Sequence, residues 1–567
     1  MNPGRHLNSN KPKDTFDKSQ LNVSSKLIDE TKVDAVIVGA GFSGLYQLYS
    51  LKKKLKFNAI VLEAAEGVGG TWYWNRYPGA RCDSESHTYC FYFSQEILEE
   101  WRWSERYPKQ EEILRYLNYC ADKLDLKKDI HFNQRVQSAV WDDEASCWQI
   151  TSQTGLKLQA TYLIAAVGCL SSANYPQIDG LENFKGNTYH TGEWPRDCVD
   201  FTGKSVVVIG TGSTGIQAIP VIAKDAKKLV VLQRTPNFSV PAHNKPLDHE
   251  FHDTFCQNID DWRQKMLASR HGHPWIAPQR KLCETDENIR NAILEEAWQI
   301  GGLRFRECFD DILLDQKSND LMTEFIHKKI KEVVEDPKTA EKLLPKDHPF
   351  GTKRPPIDTD YFETYNRDNV TLEDIRSNPI DRITEDSVRL TDGAEISVDI
   401  IVLATGFDAI SGSLLKMGIV GREGKQLTKA WQDGPQTYLG LSVHNFPNMF
   451  IITGPGSPSV LTNMPRSIEQ NVDWISAILE FARTNNVSKI EPEYEAMVSW
   501  TKHVIETANK TLLPKANHSW YLGANIPGKA RVFMPYVGGL ENYRSYCDEI
   551  VEKNYLGFQM TKDQYLN

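Results

Sequence analysis

Val33-Asp-Ala-Val-Ile-Val38-Gly39-Ala-Gly41-Phe42-Ser43-Gly44 is the stretch whose reading decides the fold. Its apolar half suits a strand buried on both faces of a parallel sheet. Its glycine half suits the turn into the helix that follows from Leu45. A lone G-x-G-x-x-G is a weak signal, but Asn58-Ala-Ile-Val-Leu62 then supplies a second strand, which closes on an acid, Glu63. Strand, glycine turn, helix, strand and acid together spell a dinucleotide-binding βαβ unit. The glycines let the backbone approach a pyrophosphate lying on the helix N-terminus. Glu63 is placed to accept hydrogen bonds from ribose hydroxyls.

The same design recurs further along. Lys204-Ser-Val-Val-Val-Ile209 enters Gly210-Thr211-Gly212-Ser213-Thr214-Gly215, and a helix and the strand Leu229-Val-Val-Leu-Gln233 follow. Gly39 to Glu63 is 24 positions, and 24 positions from Gly210 falls on Arg234. A carboxylate there would repel a 2′-phosphate, whereas a guanidinium can grip one with paired charge-assisted bonds. The first unit therefore prefers a free ribose, as in FAD, and the second prefers NADPH to NADH. A surface arginine in an NAD fold is the bland alternative at that position.

Outward from these turns, 567 residues are too many for one core. The net charge of −10 offers no overall basic field for nucleic acid or an anionic membrane. Ten cysteines occur with no C-x-x-C, so neither a zinc knuckle nor a redox pair is signalled and no metal is expected. Cys82 and Cys90 lack the spacing of a flavin disulfide reductase. Scattered thiols, an opening without an apolar signal region and the absence of any long apolar run predict a soluble cytoplasmic protein. Oligomeric state is not legible.

The fold class expected is α/β, with two discontinuous Rossmann-like domains. Residues 1–32, polar and rich in Asn, Lys and Ser, read as a flexible extension. An FAD domain is expected over 33–167 and 395–567, and an NADP domain over 168–394. Residues 246–345 carry charged, Trp-bearing helical spacing that a βαβ unit does not need, and read as a helical insertion over one mouth of the cleft. Asp399-Ile-Ile-Val-Leu-Ala-Thr-Gly406 and Met449-Phe-Ile-Ile-Thr453 are strong buried strands, both expected to return the chain to the first domain.

Between the two turns lies Phe184-Lys-Gly186-Asn-Thr-Tyr-His190-Thr-Gly-Glu-Trp194-Pro195. Linkers favour Ser, Gly and Lys, and this segment has large rings at spaced positions instead. Its pattern F-x-G-x-x-x-H-x-x-x-W-P resembles the fingerprint of the type I Baeyer–Villiger monooxygenases. Gly69-Gly-Thr71-Trp72-Tyr-Trp-Asn-Arg-Tyr77-Pro-Gly79-Ala-Arg-Cys-Asp83 resembles a second signature of that family. By itself this loop could equally be a packed corner. Lys353-Arg354 before two prolines would ordinarily read as a solvated loop. Further matches are Ala404-Thr-Gly406, Gly454-Pro-Gly-Ser-Pro-Ser459 and the segment His518–Gly528 around Trp520. The resemblance runs from about Val33 to Arg544.

The resemblance implies a ketone monooxygenase that uses NADPH, FAD and dioxygen, and gives an ester or lactone through a C4a-peroxyflavin. It implies that Thr71, Trp72, Tyr77 and Asp83 lie along the flavin with Phe42 and Ser43. Ser213, Thr214, Gln217, Thr235, Lys353 and Trp520 would attend NADPH with Arg234. Arg354 would favour the peroxide anion and the alkoxide of the adduct, held in place by Asp83. Ser459, Val460 and Leu461 would line the ketone site. The rival within flavin chemistry is oxidation of nitrogen or sulfur, which needs a protonated hydroperoxide and has no use for such an arginine. The rival outside catalysis is an NADPH-sensing flavoprotein.

Overall fold

The computed structural model describes residues 31–275 and 278–562. The extension read for 1–32 lies outside them, except that Thr31 and Lys32 already belong to the first strand, Thr31–Val38. That strand is the centre of an eight-stranded sheet. Ala59–Leu62 pairs with it in parallel on one side and Lys157–Ala165 on the other. Ala35, Val36 and Ile37 are wholly buried, as a strand covered on both faces requires.

Beside its pairing with the first strand, Lys157–Ala165 serves two further neighbours. Its first half pairs antiparallel with Cys147–Ser152, and its second half pairs in parallel with Met449–Ile451. The 449–453 run thus returns to the first sheet, as its reading predicts. The 399–406 run does not. Ile400–Leu403 lies between Ser205–Ile209 and Asn187–His190 in a second, all-parallel sheet that continues through Lys228–Gln233 to Val370–Asp374. The boundary expected at 395 therefore moves to about residue 406. A run of Ile, Val and Leu reads alike in either sheet, and only pairing decides which one takes it.

The second sheet buries one face under the helix Ser213–Asp225 and the insertion. A three-stranded antiparallel meander, Ile380–Ile383, Ser387–Leu390 and Glu395–Ser397, covers the other. The segment between the two turns is no linker: Asn187–His190 is the sheet's edge strand. Gly186 has no room for a side chain, because a Cβ there would stand 2.4 Å from the Asp399 carbonyl oxygen.

The insertion is helical, as expected. Its helices His249–Gln257, Glu287–Ile300, Gln316–Val333 and Pro337–Leu343 each start behind an aspartate, at 248, 286, 315 and 336. Each aspartate accepts a backbone N–H from the first turn. The insertion is shared between two cores. Phe255, Ile259 and Met266 pack into the first domain, while Leu294, Met322, Ile326 and Leu343 pack into the second.

Two crossings join the domains and run side by side. Ala173 bridges Phe407, Asn174 N–H donates to the Gly406 carbonyl at 2.9 Å, and Asp408 N–H donates to that of Ser172 at 2.8 Å. Among the described residues no helix is long and apolar enough to cross a membrane.

Candidate active site

The two glycine turns are built alike but present themselves differently. Gly39 and Gly210 have φ of +107° and +109°, and a Cβ on either would strike a carbonyl oxygen of the neighbouring crossing, Ala166 at 2.6 Å or Ala404 at 2.5 Å. A Cβ on Gly44 or Gly215 would strike the oxygen of the first glycine, at 1.8 and 2.3 Å. The middle glycines differ. A Cβ on Gly41 would face the Gly70 Cα at 3.3 Å, whereas one on Gly212 would meet nothing within 4 Å. Gly41 and Gly212 are the N-caps of their helices, and neither helix has a side-chain cap. Four of the insertion helices spend an aspartate on those N–H groups, and these two have no side chain on them, an arrangement suited to a ligand anion.

Glu63 is buried, and its two oxygens accept the Ala40 N–H at 2.6 Å and the Ala65 N–H at 2.7 Å. Burial pushes its carboxyl up, and the backbone donors oppose that. It thus pins the turn while each oxygen keeps a lone pair for a hydroxyl. Phe42 is packed against Tyr89 and Phe91, and Ser43 is buried beside it.

In the second unit Arg234 is exposed and Thr211 Oγ1 donates to the Thr235 carbonyl at 3.1 Å. Arg376, which sequence reading passed over, organises this corner. Its Nε donates to the Arg234 carbonyl at 3.1 Å, and its Nη2 to Thr235 Oγ1 at 2.9 Å and Asp347 Oδ2 at 2.8 Å. Asp347 also takes a 2.7 Å contact from His348 Nδ1. Burial would raise the Asp347 carboxyl, but these partners hold it well below the usual carboxylate range. Lys353 is lowered chiefly by burial and further by the charges of Arg234 and Arg376, against the pull of Asp347. His518 is lowered by burial and then by the same cations. Arg234, Lys353 and Arg376 thus gather at one corner where only Arg376 is paired with Asp347, a surplus of positive charge suited to a dianionic phosphate.

Where the halves meet, Arg354 and Asp83 form a two-point pair. Nε reaches Asp83 Oδ2 at 2.5 Å and Nη2 reaches Oδ1 at 3.0 Å, while Nη1 donates to the Val460 carbonyl at 3.0 Å. Burial works against both charges, yet the pairing wins. Asp83 is lowered and Arg354 raised from their ordinary values. Three of the guanidinium's five N–H groups are used, which leaves two. The pair keeps 18% and 26% of its side-chain surface exposed, so it is reachable from solvent.

Several other expected residues have partners within the protein. The Gln217 amide accepts from Tyr77 OH at 2.7 Å and donates to the Arg81 carbonyl at 3.2 Å. Tyr77 and Gln217 therefore clamp the 69–83 segment of one domain to the helix Ser213–Asp225 of the other. Trp72 Nε1 donates to Tyr89 OH at 3.2 Å, and Thr71 opens the short helix Thr71–Trp74. Thr214 Oγ1 meets Thr191 Oγ1 at 3.0 Å, and Ser213 is exposed at the helix start. Ser459 is buried, with Oγ 3.1 Å from Cys169 Sγ and 3.3 Å from the Thr453 carbonyl. The Val460 carbonyl accepts from Arg354 Nη1, and the Leu461 carbonyl lies 3.0 Å from His271 Nδ1. Trp520, half-buried against Tyr521, heads a segment anchored by Asn525 Nδ2 on the Phe407 carbonyl at 2.8 Å and by the Lys529–Asp408 ion pair.

His190 is buried under the paired crossings. Nδ1 accepts the Gly192 N–H at 3.0 Å, and Nε2 lies 3.2 Å from Thr405 Oγ1, whose proton goes to the Asn174 carbonyl at 2.7 Å. The network assigns a neutral ring with its proton on Nε2, and burial lowers its pKa accordingly. Trp194 is buried in the second core 5.3 Å from Tyr189, Pro195 follows it, and Phe184 packs under the meander.

Residues 36–249 match a family model described as pyridine nucleotide-disulphide oxidoreductase. That span covers both turns, but Cys82 and Cys90 are free and buried, so the match is to the nucleotide fold rather than to disulfide chemistry. The chain is 42% identical to a cyclohexanone 1,2-monooxygenase of Acinetobacter sp, over 93% of this chain and 96% of that one. It is 42% identical to a Baeyer–Villiger monooxygenase of Pseudooceanicola batsensis, over 92% and 95%. A phenazine N-monooxygenase of Lysobacter antibioticus is 40% identical over 94% and 98%. Among solved structures, a steroid monooxygenase bound to NADP superposes with a TM-score of 0.89 at 47% identity, over 94% of this chain and all of that one. Fold, paired Arg354 and Asp83, and full-length similarity agree: the chain belongs to the type I Baeyer–Villiger monooxygenases.

Proposed function

We propose that this protein inserts one oxygen atom of dioxygen beside a ketone carbonyl, giving an ester or lactone, with Arg354 and Asp83 as its central residues. The observation that carries the reading is the two-point Arg354–Asp83 pair, which leaves two N–H groups free at the junction of two nucleotide folds. FAD suits the first fold, with its uncapped helix N-terminus and Glu63, and NADPH the second, with Gly212, Arg234, Lys353 and Arg376. When bound, NADPH supplies the hydride and FAD supplies activated dioxygen to the ketone.

The chain's residues hold and polarise. Negative charge develops on the ketone oxygen as its carbon is attacked, and a fixed guanidinium stabilises it without having to reorganise. Asp83, kept ionised by Arg354, orients the guanidinium and has no proton to release into the site. Tyr77 and Gln217 tie the 69–83 segment across the domain junction, so the position of Asp83 depends on how the two domains sit. Val460, through its carbonyl, fixes the third edge of Arg354 next to the ketone site. Thr211 and Arg376 hold the Arg234–Thr235 backbone for the 2′-phosphate.

The test is a ketone panel with NADPH and dioxygen, and product identification by mass spectrometry. An ester or lactone 16 mass units above the ketone is expected. N- or S-oxides from amine and sulfide controls with no ketone product would favour the rival chemistry. NADPH binding without any oxygenated product would favour the sensor.

A further inference from the structure

The 63–83 segment of the first domain meets the second domain in two kinds of contact. One is buried. Tyr77 OH donates to Gln217, and a Cβ on Gly79 would stand 2.4 Å from the Gln217 carbonyl oxygen. The other is open to solvent. Arg196, next after Trp194-Pro195, donates from Nη1 to Glu66 Oε2 at 2.8 Å, with 52% and 62% of the two side chains exposed. The same guanidinium lies 5.2 Å from the centre of the Tyr73 ring, and that of Arg76 lies 4.8 Å from it. Tyr73 is firmly seated: it is buried, and a Cβ on Gly67 or Gly69 would meet it at 3.4 or 3.1 Å.

Both ends of the open contact belong to site elements. Glu66 lies in the loop that runs from Glu63 to Gly70, the glycine that covers Gly41. Arg196 continues from the edge strand Asn187–His190 and from Trp194, which is packed in the second core. The cations gathered for the 2′-phosphate all lie on the second domain, so they can grip a coenzyme however that domain sits. Hydride transfer between the folds instead needs one distance and one angle. We infer that Arg196, Glu66 and Tyr73 form a latch between the two domains, and that closing it sets how the nucleotide folds face each other for hydride transfer. This rests on the reading of the two folds as FAD and NADPH sites and goes beyond it. Arg196 is a positioning residue. An exposed ion pair is weak and screened by salt, and the ring under the guanidinium adds to it. Such a latch opens readily, while the buried Tyr77–Gln217 contact serves as the pivot.

The experiment follows flavin reduction by NADPH without oxygen, by stopped-flow absorbance, in FAD-loaded wild type, Arg196→Met, Glu66→Gln, the double variant, and the charge swap Arg196→Glu with Glu66→Arg. Hydrogen exchange across residues 187–197 is measured in the same proteins without NADPH. At low ionic strength each single variant should lower the limiting reduction rate by about two- to fivefold and leave the Kd for NADPH within about twofold of wild type. The double variant should lose no more than either single one, and the swap should recover part of the loss. Salt should slow the wild type toward Arg196→Met and leave Arg196→Met itself unchanged, with faster exchange over 187–197 wherever the latch is open. Losses that multiply in the double variant, one salt response shared by wild type and Arg196→Met, or a wild-type limiting rate in Arg196→Met would each overturn the inference. So would a Kd for NADPH that rises in step with the fall in rate, since Arg196 would then serve the coenzyme directly. A wild-type flavin that NADPH fails to reduce would strike the two-coenzyme reading itself, a result distinct from a changed rate.

Discussion

The two glycine turns carry the same motif and differ in what lies over them. At the first, Gly41 is covered by Gly70, the acid at the second strand is buried, and Phe42 lies in an aromatic cluster. At the second, Gly212 looks into open space and Arg234 is exposed. One site is built into a core and the other opens at a surface. The difference matches the chemistry each must serve: a cofactor that stays through many turnovers, and a coenzyme that arrives and leaves once in each. Identical motifs therefore set what kind of ligand binds, and the surroundings set how long it stays.

The largest effect that can test this contrast belongs to the residue between the two sites. Arg354→Ala should lower product formation by about two to three orders of magnitude, the usual loss on removing one preorganised donor from developing charge. Bound FAD and its reduction by NADPH should survive, and the electrons should leave as hydrogen peroxide. Stopped-flow absorbance with product assay separates these steps, and near wild-type product formation would remove Arg354 from the mechanism.

Next come the glycines themselves. Gly44→Ala places a methyl 1.8 Å from a backbone oxygen and should cost several kcal/mol, on the order of the larger single-site losses, with FAD released. Gly212→Ala should fold with stability within about 0.5 kcal/mol of wild type, since nothing lies nearby, yet raise the KM for NADPH. Thermal melts with flavin fluorescence measure both. Equal destabilisation by the two variants would erase the contrast between a buried and an open turn.

Arg234→Ala should raise the KM for NADPH by about ten- to a hundredfold, the worth of one charge-assisted bond at roughly 1.5–3 kcal/mol, and leave NADH nearly unaffected. Equal losses for both coenzymes would mean that this residue does not read the phosphate. Arg376→Ala should give a smaller effect of the same sign, about threefold to tenfold, because it acts by holding the Arg234–Thr235 backbone and adding charge at longer range. No change in the NADPH to NADH ratio would reduce Arg376 to a partner of Asp347.

Much of this was legible in the residues. The 24-position offset finds both Glu63 and Arg234, because a βαβ unit has nearly constant dimensions. The pairing of Arg354 with Asp83, 271 positions away, came only with the family resemblance, since neither local sequence demands a partner. The assignment of Ile400–Leu403 failed because strand composition carries no address. Arg376 went unseen for a related reason: it follows Val370–Asp374, and only the sheet order puts that strand's end beside Arg234. The bond from Tyr77 to Gln217 was not legible, because a polar residue one turn into a nucleotide-binding helix can face the ligand or the neighbouring domain, and Tyr77 is 140 positions distant.

The side-by-side crossings have a consequence for how such a molecule can be taken apart. Because Asn174 and Gly406 are hydrogen-bonded to each other, residues 175–405 form a guest whose two ends leave the host at one point. A host with a tight turn in place of the guest would keep every pairing of its eight-stranded sheet, since no strand of that sheet comes from inside the excised span. What it would lose is a brace. The guest sends Phe255, Ile259 and Met266 back into the host core, so the excised host would expose an apolar scar where those helices sat. The guest is thus easy to remove topologically and hard to remove without re-covering that patch, and its two helices make the pair of domains one machine rather than two modules on a string.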